Sequence, residues 1–158
     1  MNKIGICGAG LIGASWAIGF ANAGYLSYVY DNNTNSVENF NKYFDDLLLD
    51  LITIDPNINE DKIRSNIKLN CTIEQICENA VLIQESIVED LKVKQDVYKE
   101  LDRLTSKETI LASSSSYLVI SEISEFVEHK NRCINAHLIP RACFNAISIS
   151  SMEANPPS

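Results

Sequence analysis

An α/β fold with a doubly wound, mostly parallel sheet in a single domain is predicted for this chain on three observations. Short apolar runs of strand length alternate with helical patterns along the 158 residues. A glycine-rich turn follows directly on the first apolar run, and the apolar runs end in polar or acidic residues. Parallel strands need long crossovers, usually helices, so the alternation implies a sheet covered on both faces. The length suits one domain with a proper core and is too short for two.

Lys3 to Cys7 is a short buried strand that runs straight into Gly8-Ala9-Gly10-Leu11-Ile12-Gly13. A helix follows through Ser15, Trp16, Ala17, Phe20 and Ala21, and Gly24 ends it. Tyr28-Val29-Tyr30 is a second strand and delivers Asp31. Asn35 to Leu51 carries Val37, Phe40, Phe44, Leu47 and Leu48 mostly three or four apart, as a helix burying one face requires, until Asp55-Pro56-Asn57 breaks it. Asn59 to Ser65 is a short polar helix, and Ile67-Lys68-Leu69 alternates like an edge strand. Thr72 caps a helix to Ala80, with Gln75 completing a capping box. Val81-Leu82-Ile83 is a strand ending at Gln84, Glu85 and Ser86, an edge expected to face a ligand crevice. Asp90 starts a helix with Val93, Val97, Tyr98 and Leu101 on one face. Ile110-Leu111-Ala112 is a strand leading to Ser113-Ser114-Ser115-Ser116. A helix from about Ser121 to Val127 and a last strand, Cys133 to Ala136, bring the chain to His137.

The glycine turn carries chemistry. Gly8 lets the chain leave the strand sharply, Gly10 lets backbone approach a pyrophosphate, and Gly13 lets the helix sit close on the sheet. The unpaired N–H groups and positive dipole end of the helix favour an anion. Asp31 lies eighteen residues beyond Gly13, where a carboxylate can accept from both ribose hydroxyls of an adenosine and would repel a 2′-phosphate. No arginine stands near it, so the reading is a Rossmann-type site for NAD rather than NADP. The plain alternative is a glycine-rich turn that merely packs a helix on a strand. The strand before, the helix after and the acid at the next strand end favour the dinucleotide. Ligands of such sheets bind beyond the strand C-termini, where Glu85, Glu89, Ser116 and His137 all fall.

Composition bounds the rest. The hydrophobic fraction of 46% and charged fraction of 22% are those of a globular protein. A net charge of −8 disfavours nucleic acid and anionic membrane surfaces. No apolar run approaches a membrane span, and the apolar stretch from Ile12 to Phe20 makes a poor signal peptide, so the expected location is cytoplasmic. The five cysteines, Cys7, Cys71, Cys77, Cys133 and Cys143, show no metal-ligand spacing. No metal is expected, and Cys7 and Cys133 read as small buried hydrophobes in a reducing compartment.

The chain resembles the NAD-binding domain of the 3-hydroxyacyl-CoA dehydrogenase family over roughly Lys3 to His137. The resemblance rests on four ordered blocks: the glycine turn continued by Ala14-Ser15-Trp16-Ala17, the run Ile83-Gln84-Glu85-Ser86-Ile87-Val88-Glu89-Asp90-Leu91-Lys92-Val93-Lys94, Leu111-Ala112 with the four serines, and Asn131-Arg132-Cys133-Ile134-Asn135-Ala136-His137. The Ser-Trp, the Gln-Glu and the serine run are most similar to the lambda-crystallin or L-gulonate 3-dehydrogenase branch. The resemblance implies backbone contacts of Leu11 and Ile12 to the pyrophosphate, and Asp31, Glu89 and Lys94 lining the NAD site. It implies that Ser116 hydrogen-bonds the substrate oxygen and that His137 is the general base. The substrate so implied is a 3-hydroxyacyl-CoA or related 3-hydroxy acid, oxidised at its 3-hydroxyl. Histidine suits that role because free imidazole titrates near neutrality, at about 6.5. Plainer readings stand beside these: Glu89 as a helix-dipole carboxylate, Lys94 as a solvated cation, Ser116 as a turn serine, His137 as a structural histidine.

Past His137 the pattern departs from the family. Leu138-Ile139-Pro140-Arg141 stands where an Asn-Pro is expected, and Ile149 where the resemblance implies a glutamate behind the histidine. Glu153 comes four residues later, and Asn155-Pro156-Pro157 later still. Residues 1–137 therefore read as the dinucleotide-binding domain and 138–158 as a divergent tail. The tail does not match the family's helical C-terminal domain, which closes the substrate cleft. The imidazole is then expected to lack the partner that fixes its tautomer, turnover by this chain alone to be weak, and apolar surface to be left as an association patch. The alternatives are a non-catalytic NAD-binding or crystallin-like structural protein, and a nonfunctional fragment.

Overall fold

The computed structural model describes residues 1–33 and 35–138. Ile139, Pro140, Arg141, Cys143, Ile149, Glu153 and Asn155-Pro156-Pro157 lie outside them. The strands are β1 (Lys3–Cys7), β2 (Leu26–Tyr30), β3 (Ile67–Lys68), β4 (Ala80–Glu85), β5 (Ile110–Ser113) and β6 (Cys133–Asn135). The helices are α1 (Leu11–Asn22), α2 (Ser36–Ile54), α3 (Glu60–Ser65), α4 (Ile73–Cys77), α5 (Leu91–Leu104) and α6 (Ile120–Ile123). The sheet runs β3-β2-β1-β4-β5-β6, and every pairing in it is parallel.

Apolar periodicity places a core on each face of that sheet. On one side α1 and the stripe Phe40, Phe44, Leu47, Leu48 and Leu51 of α2 bury Ile4, Ile6 and Val29. On the other, Ile76, Tyr98, Leu101 and Ile123 close over Cys7, Ile83, Leu111 and Cys133. α1 is buried along most of its length and sits close to the sheet because Gly13 permits it. A Cβ there would stand 1.9 Å from the Gly8 carbonyl oxygen. Capping residues start three of the helices, since the Asn59, Thr72 and Asp90 side chains each accept a backbone N–H three residues on. Thr72 and Gln75 form the reciprocal capping box.

Two helices are shorter than their sequence patterns. α4 ends at Cys77 rather than Ala80 because Asn79 adopts a left-handed φ of 54° and turns the chain into β4, which begins at Ala80. α6 closes at Ile123, where the Ser124 hydroxyl bonds the Ile120 carbonyl at 2.7 Å and competes with helix propagation.

The far end of the sheet is clamped by Arg132, only 6% exposed. Its guanidinium donates to Asp102 Oδ1 at 2.6 Å, Thr105 Oγ1 at 2.9 Å and the carbonyls of Ser106 at 2.7 Å and Thr109 at 2.9 Å. Burial acts to raise the Asp102 pKa, but the Arg132 bond and the Glu128 N–H outweigh it and hold it below the usual aspartate range. A depressed folded-state pKa stabilises above the unfolded value and is lost as pH falls through the folded one. Arg132→Met should lower the unfolding free energy in urea by about 3–5 kcal/mol at neutral pH, and that deficit should shrink as pH falls below about 4, where unfolded aspartate protonates.

Candidate NAD site and the groups around it

The strand ends are level. In register, Tyr30, Cys7, Glu85, Ser113 and Asn135 form one rung across β2, β1, β4, β5 and β6. The ladder continues one residue further: Gly8 N–H donates to Tyr30 O, Ser86 to Cys7 O, Ser114 to Glu85 O and Ala136 to Ser113 O, each at 2.8 Å. Asp31, Gly8, Ser86, Ser114 and Ala136 thus line one sheet edge, with His137 just past it.

At the middle of that edge Gly8 holds a φ of 112°, and a Cβ on it would stand 2.5 Å from the Ser86 carbonyl oxygen. Only glycine fits. Gly10 differs, because a Cβ on it would meet nothing within 4 Å. Nothing in the protein demands glycine there, whereas a ligand lying against bare backbone would. The N–H groups of Leu11, Ile12 and Gly13 precede the first bond of α1, which Ala14 makes to Gly10 O at 2.9 Å. They form the anion-facing end of the helix. Asp31 Oδ2 accepts the Ala9 N–H at 2.7 Å and Oδ1 the Asn33 N–H at 2.8 Å. Each oxygen keeps a lone pair for a ribose hydroxyl, beside a recess bordered by Ala9, Val29, Phe40 and Leu69. These residues fit a dinucleotide.

On the β4 side lies a buried charge array. Lys94 is 1% exposed, with its Nζ 2.6 Å from Glu85 Oε1 and 3.2 Å from Glu89 Oε2. The reading of Lys94 as a solvated cation is therefore overturned; the lysine lies beneath Glu89. Glu85, expected to face the crevice, is 0% exposed instead. Its carboxylate accepts from Lys94, from Ser113 Oγ at 2.7 Å and from the Ile87 N–H at 2.8 Å. Glu89 is the partly open member of the array and is bonded by Ser115 Oγ. Burial pushes the Glu89 pKa up, but the Ser115 bond, the Lys94 charge and the Ser116 backbone N–H outweigh it and leave it lowered.

Ser116 is exposed, directly after Ser115. His137 is also exposed, and its Nδ1 stands 3.2 Å from the Ser114 carbonyl oxygen. A carbonyl can only accept, so neutral His137 carries its proton on Nδ1 and leaves Nε2 as the basic nitrogen. The expectation that nothing fixes its tautomer is thereby corrected, since the partner is backbone rather than carboxylate. Val88 and Tyr117, beside Glu89 and Ser116, are exposed apolar side chains at this edge. Sequence reading missed the group behind it: Trp16 Nε1 donates to Ser114 Oγ at 3.0 Å, Gln84 Nε2 donates to it at 2.8 Å, and Ser86 Oγ lies 2.8 Å away. The Ser-Trp and Gln-Glu pairs marked these positions, but no local pattern tells which side chains meet.

Parallel sheet, glycine turn and acid at the second strand end define a Rossmann-type dinucleotide-binding domain. The chain belongs to the family of the 3-hydroxyacyl-CoA dehydrogenase NAD binding domain, whose pattern it matches over residues 3–148, and the family's cofactor is NAD. It is 34% identical over 136 residues to the lambda-crystallin homolog of Mus musculus, covering 84% of this chain and 42% of that protein. It is 30% identical over 141 residues to a probable 3-hydroxybutyryl-CoA dehydrogenase of Bacillus subtilis, covering 88% and 49%. The chain spans about half the length of the curated relatives it matches. Its fold superposes on (S)-3-hydroxybutyryl-CoA dehydrogenase from Ralstonia eutropha with a TM-score of 0.79 at 21% identity, covering 89% of this chain and 50% of that one. The figures for M. tuberculosis FadB2 are 0.78, 22%, 88% and 50%. Among the described residues no helix is long and apolar enough to cross a membrane.

Lys94→Met should strand the buried Glu85 carboxylate and lower the unfolding free energy by about 3–5 kcal/mol in a urea titration. In the folded fraction the Glu89 pKa, followed by NMR, should move up towards the ordinary glutamate value.

Proposed function

We propose that this chain holds NAD along the sheet edge and, through Ser116 and His137, oxidises the 3-hydroxyl of a 3-hydroxyacyl-CoA or related 3-hydroxy acid. Gly8, Gly10, Gly13 and the N–H groups of Leu11 and Ile12 receive the diphosphate, Asp31 the adenosine ribose, and Glu89, braced by Lys94, the other ribose. The observation that carries the catalytic half is the contact of His137 Nδ1 with the Ser114 carbonyl. It leaves Nε2 free to take the hydroxyl proton. Ser116, exposed three residues past the end of β5, offers its hydroxyl to the same substrate oxygen. NAD, when bound, supplies the hydride acceptor. Residues 1–137 are the working unit in this reading, the cytoplasm its location, and the apolar edge at Val88 and Tyr117 a surface for association.

A second reading, cofactor binding without turnover, is favoured by the exposure of His137, which leaves the imidazole open to water. The two separate in one assay of NADH formation with a 3-hydroxyacyl-CoA thioester and with a free 3-hydroxy acid. His137→Ala should lower the rate about 100- to 10,000-fold. A rate that ignores the substitution removes the base assignment, and NAD binding with no rate at all selects the second reading. Asp31→Ala should weaken NAD in calorimetry and narrow its margin over NADP; a native preference for NADP contradicts the role given to Asp31.

A further inference from the structure

The hydrogen bonds around Ser114 determine where the proton of a neighbouring serine points. Gln84 Nε2 lies 3.3 Å from the Ala136 carbonyl oxygen and 2.8 Å from Ser114 Oγ. A carbonyl cannot donate, so that atom is the amide nitrogen and donates to both. Trp16 Nε1 is a donor only, and it reaches the same Ser114 oxygen at 3.0 Å. Two donors occupy both lone pairs of Ser114 Oγ. Its one proton must therefore go to the third neighbour, Ser86 Oγ, at 2.8 Å. Ser86 is the acceptor in that contact and keeps its own O–H. Among the described residues no second side-chain or backbone acceptor takes it.

Ser86 is half-buried and stands at the centre of the edge. Its N–H donates to Cys7 O at 2.8 Å, and its carbonyl oxygen lies where a Cβ on Gly8 would fall. It is thus fixed between the glycine turn and the β4–β5 half of the sheet. With the diphosphate at the turn and the adenosine towards Asp31 on the β2 side, the remainder of the dinucleotide has only the β4–β5 side to run across. Ser86 is the first polar side chain on that path. We infer that the Ser86 hydroxyl is a binding donor for an acceptor oxygen on the nicotinamide half of NAD, its direction set by the Trp16, Gln84 and Ser114 network. The inference rests on the proposed placement of NAD and assigns a contact to a residue outside that proposal.

Calorimetric titration of the full chain with NAD and, separately, with ADP tests it. ADP carries the adenosine and diphosphate but no nicotinamide half. Ser86→Ala should weaken NAD about 3- to 10-fold, the worth of one hydrogen bond, and leave ADP unchanged. Ser86→Thr, which keeps the hydroxyl, should restore NAD affinity. NAD affinity unchanged in Ser86→Ala overturns the inference, and so does an equal loss for NAD and ADP, which would make Ser86 a support of the turn. A native chain that binds neither nucleotide defeats the underlying placement instead, a result distinguishable from both.

Discussion

The level alignment of five strand ends is the constraint on which the rest of this structure depends. Parallel strands carry their crossovers outside the sheet, so nothing in the connections alone brings Asp31, Gly8, Ser86, Ser114 and Ala136 to one line. Backbone pairing does so by extending the ladder one residue beyond the last regular rung. Each bond is ordinary, with a net worth of about 1 kcal/mol. Their joint effect is positional, since groups far apart in sequence become neighbours along one edge.

Two kinds of glycine follow from that alignment. Gly8 and Gly13 are demanded by the protein itself, because a methyl group at Gly8 would strike the Ser86 carbonyl beyond β4 and one at Gly13 the Gly8 carbonyl across the turn. Gly10 is bordered by empty space, and its lack of a side chain matters only to something arriving from outside. The same edge sorts carboxylates. Glu85 is inside, neutralised by Lys94 and bonded by Ser113 and Ile87; Glu89 is the one turned outward. An isolated buried carboxylate would be costly, so the lysine is what permits an acidic residue at the end of a central strand.

The fold was largely legible because its signals are local. The strand boundaries at Lys3 and Cys7, the stripe from Phe40 to Leu51, the Thr72–Gln75 box and the Asp90 cap are each decided within a few residues. The shortened α4 and α6 were not, since Asn79 and Ser124 act through backbone conformation and a competing side-chain bond that periodicity does not register. The site was half legible. Glycine spacing and Asp31 mark the proposed adenosine side, but Lys94 looks like any helix-surface lysine until α5 is laid on β4. The contact between Trp16 and Ser114 joins residues 98 apart, and the partner of His137 is a main-chain oxygen, for which no residue type is a marker.

That long-range contact has a practical side. Trp16 is the sole tryptophan of the chain, and its ring stacks on Phe20 at 5.3 Å while its indole N–H ends on the serine loop. Indole emission responds to the polarity and hydrogen bonding of that one N–H. The molecule therefore carries an intrinsic optical reporter wired to the loop that also holds His137, with no second indole to dilute the signal.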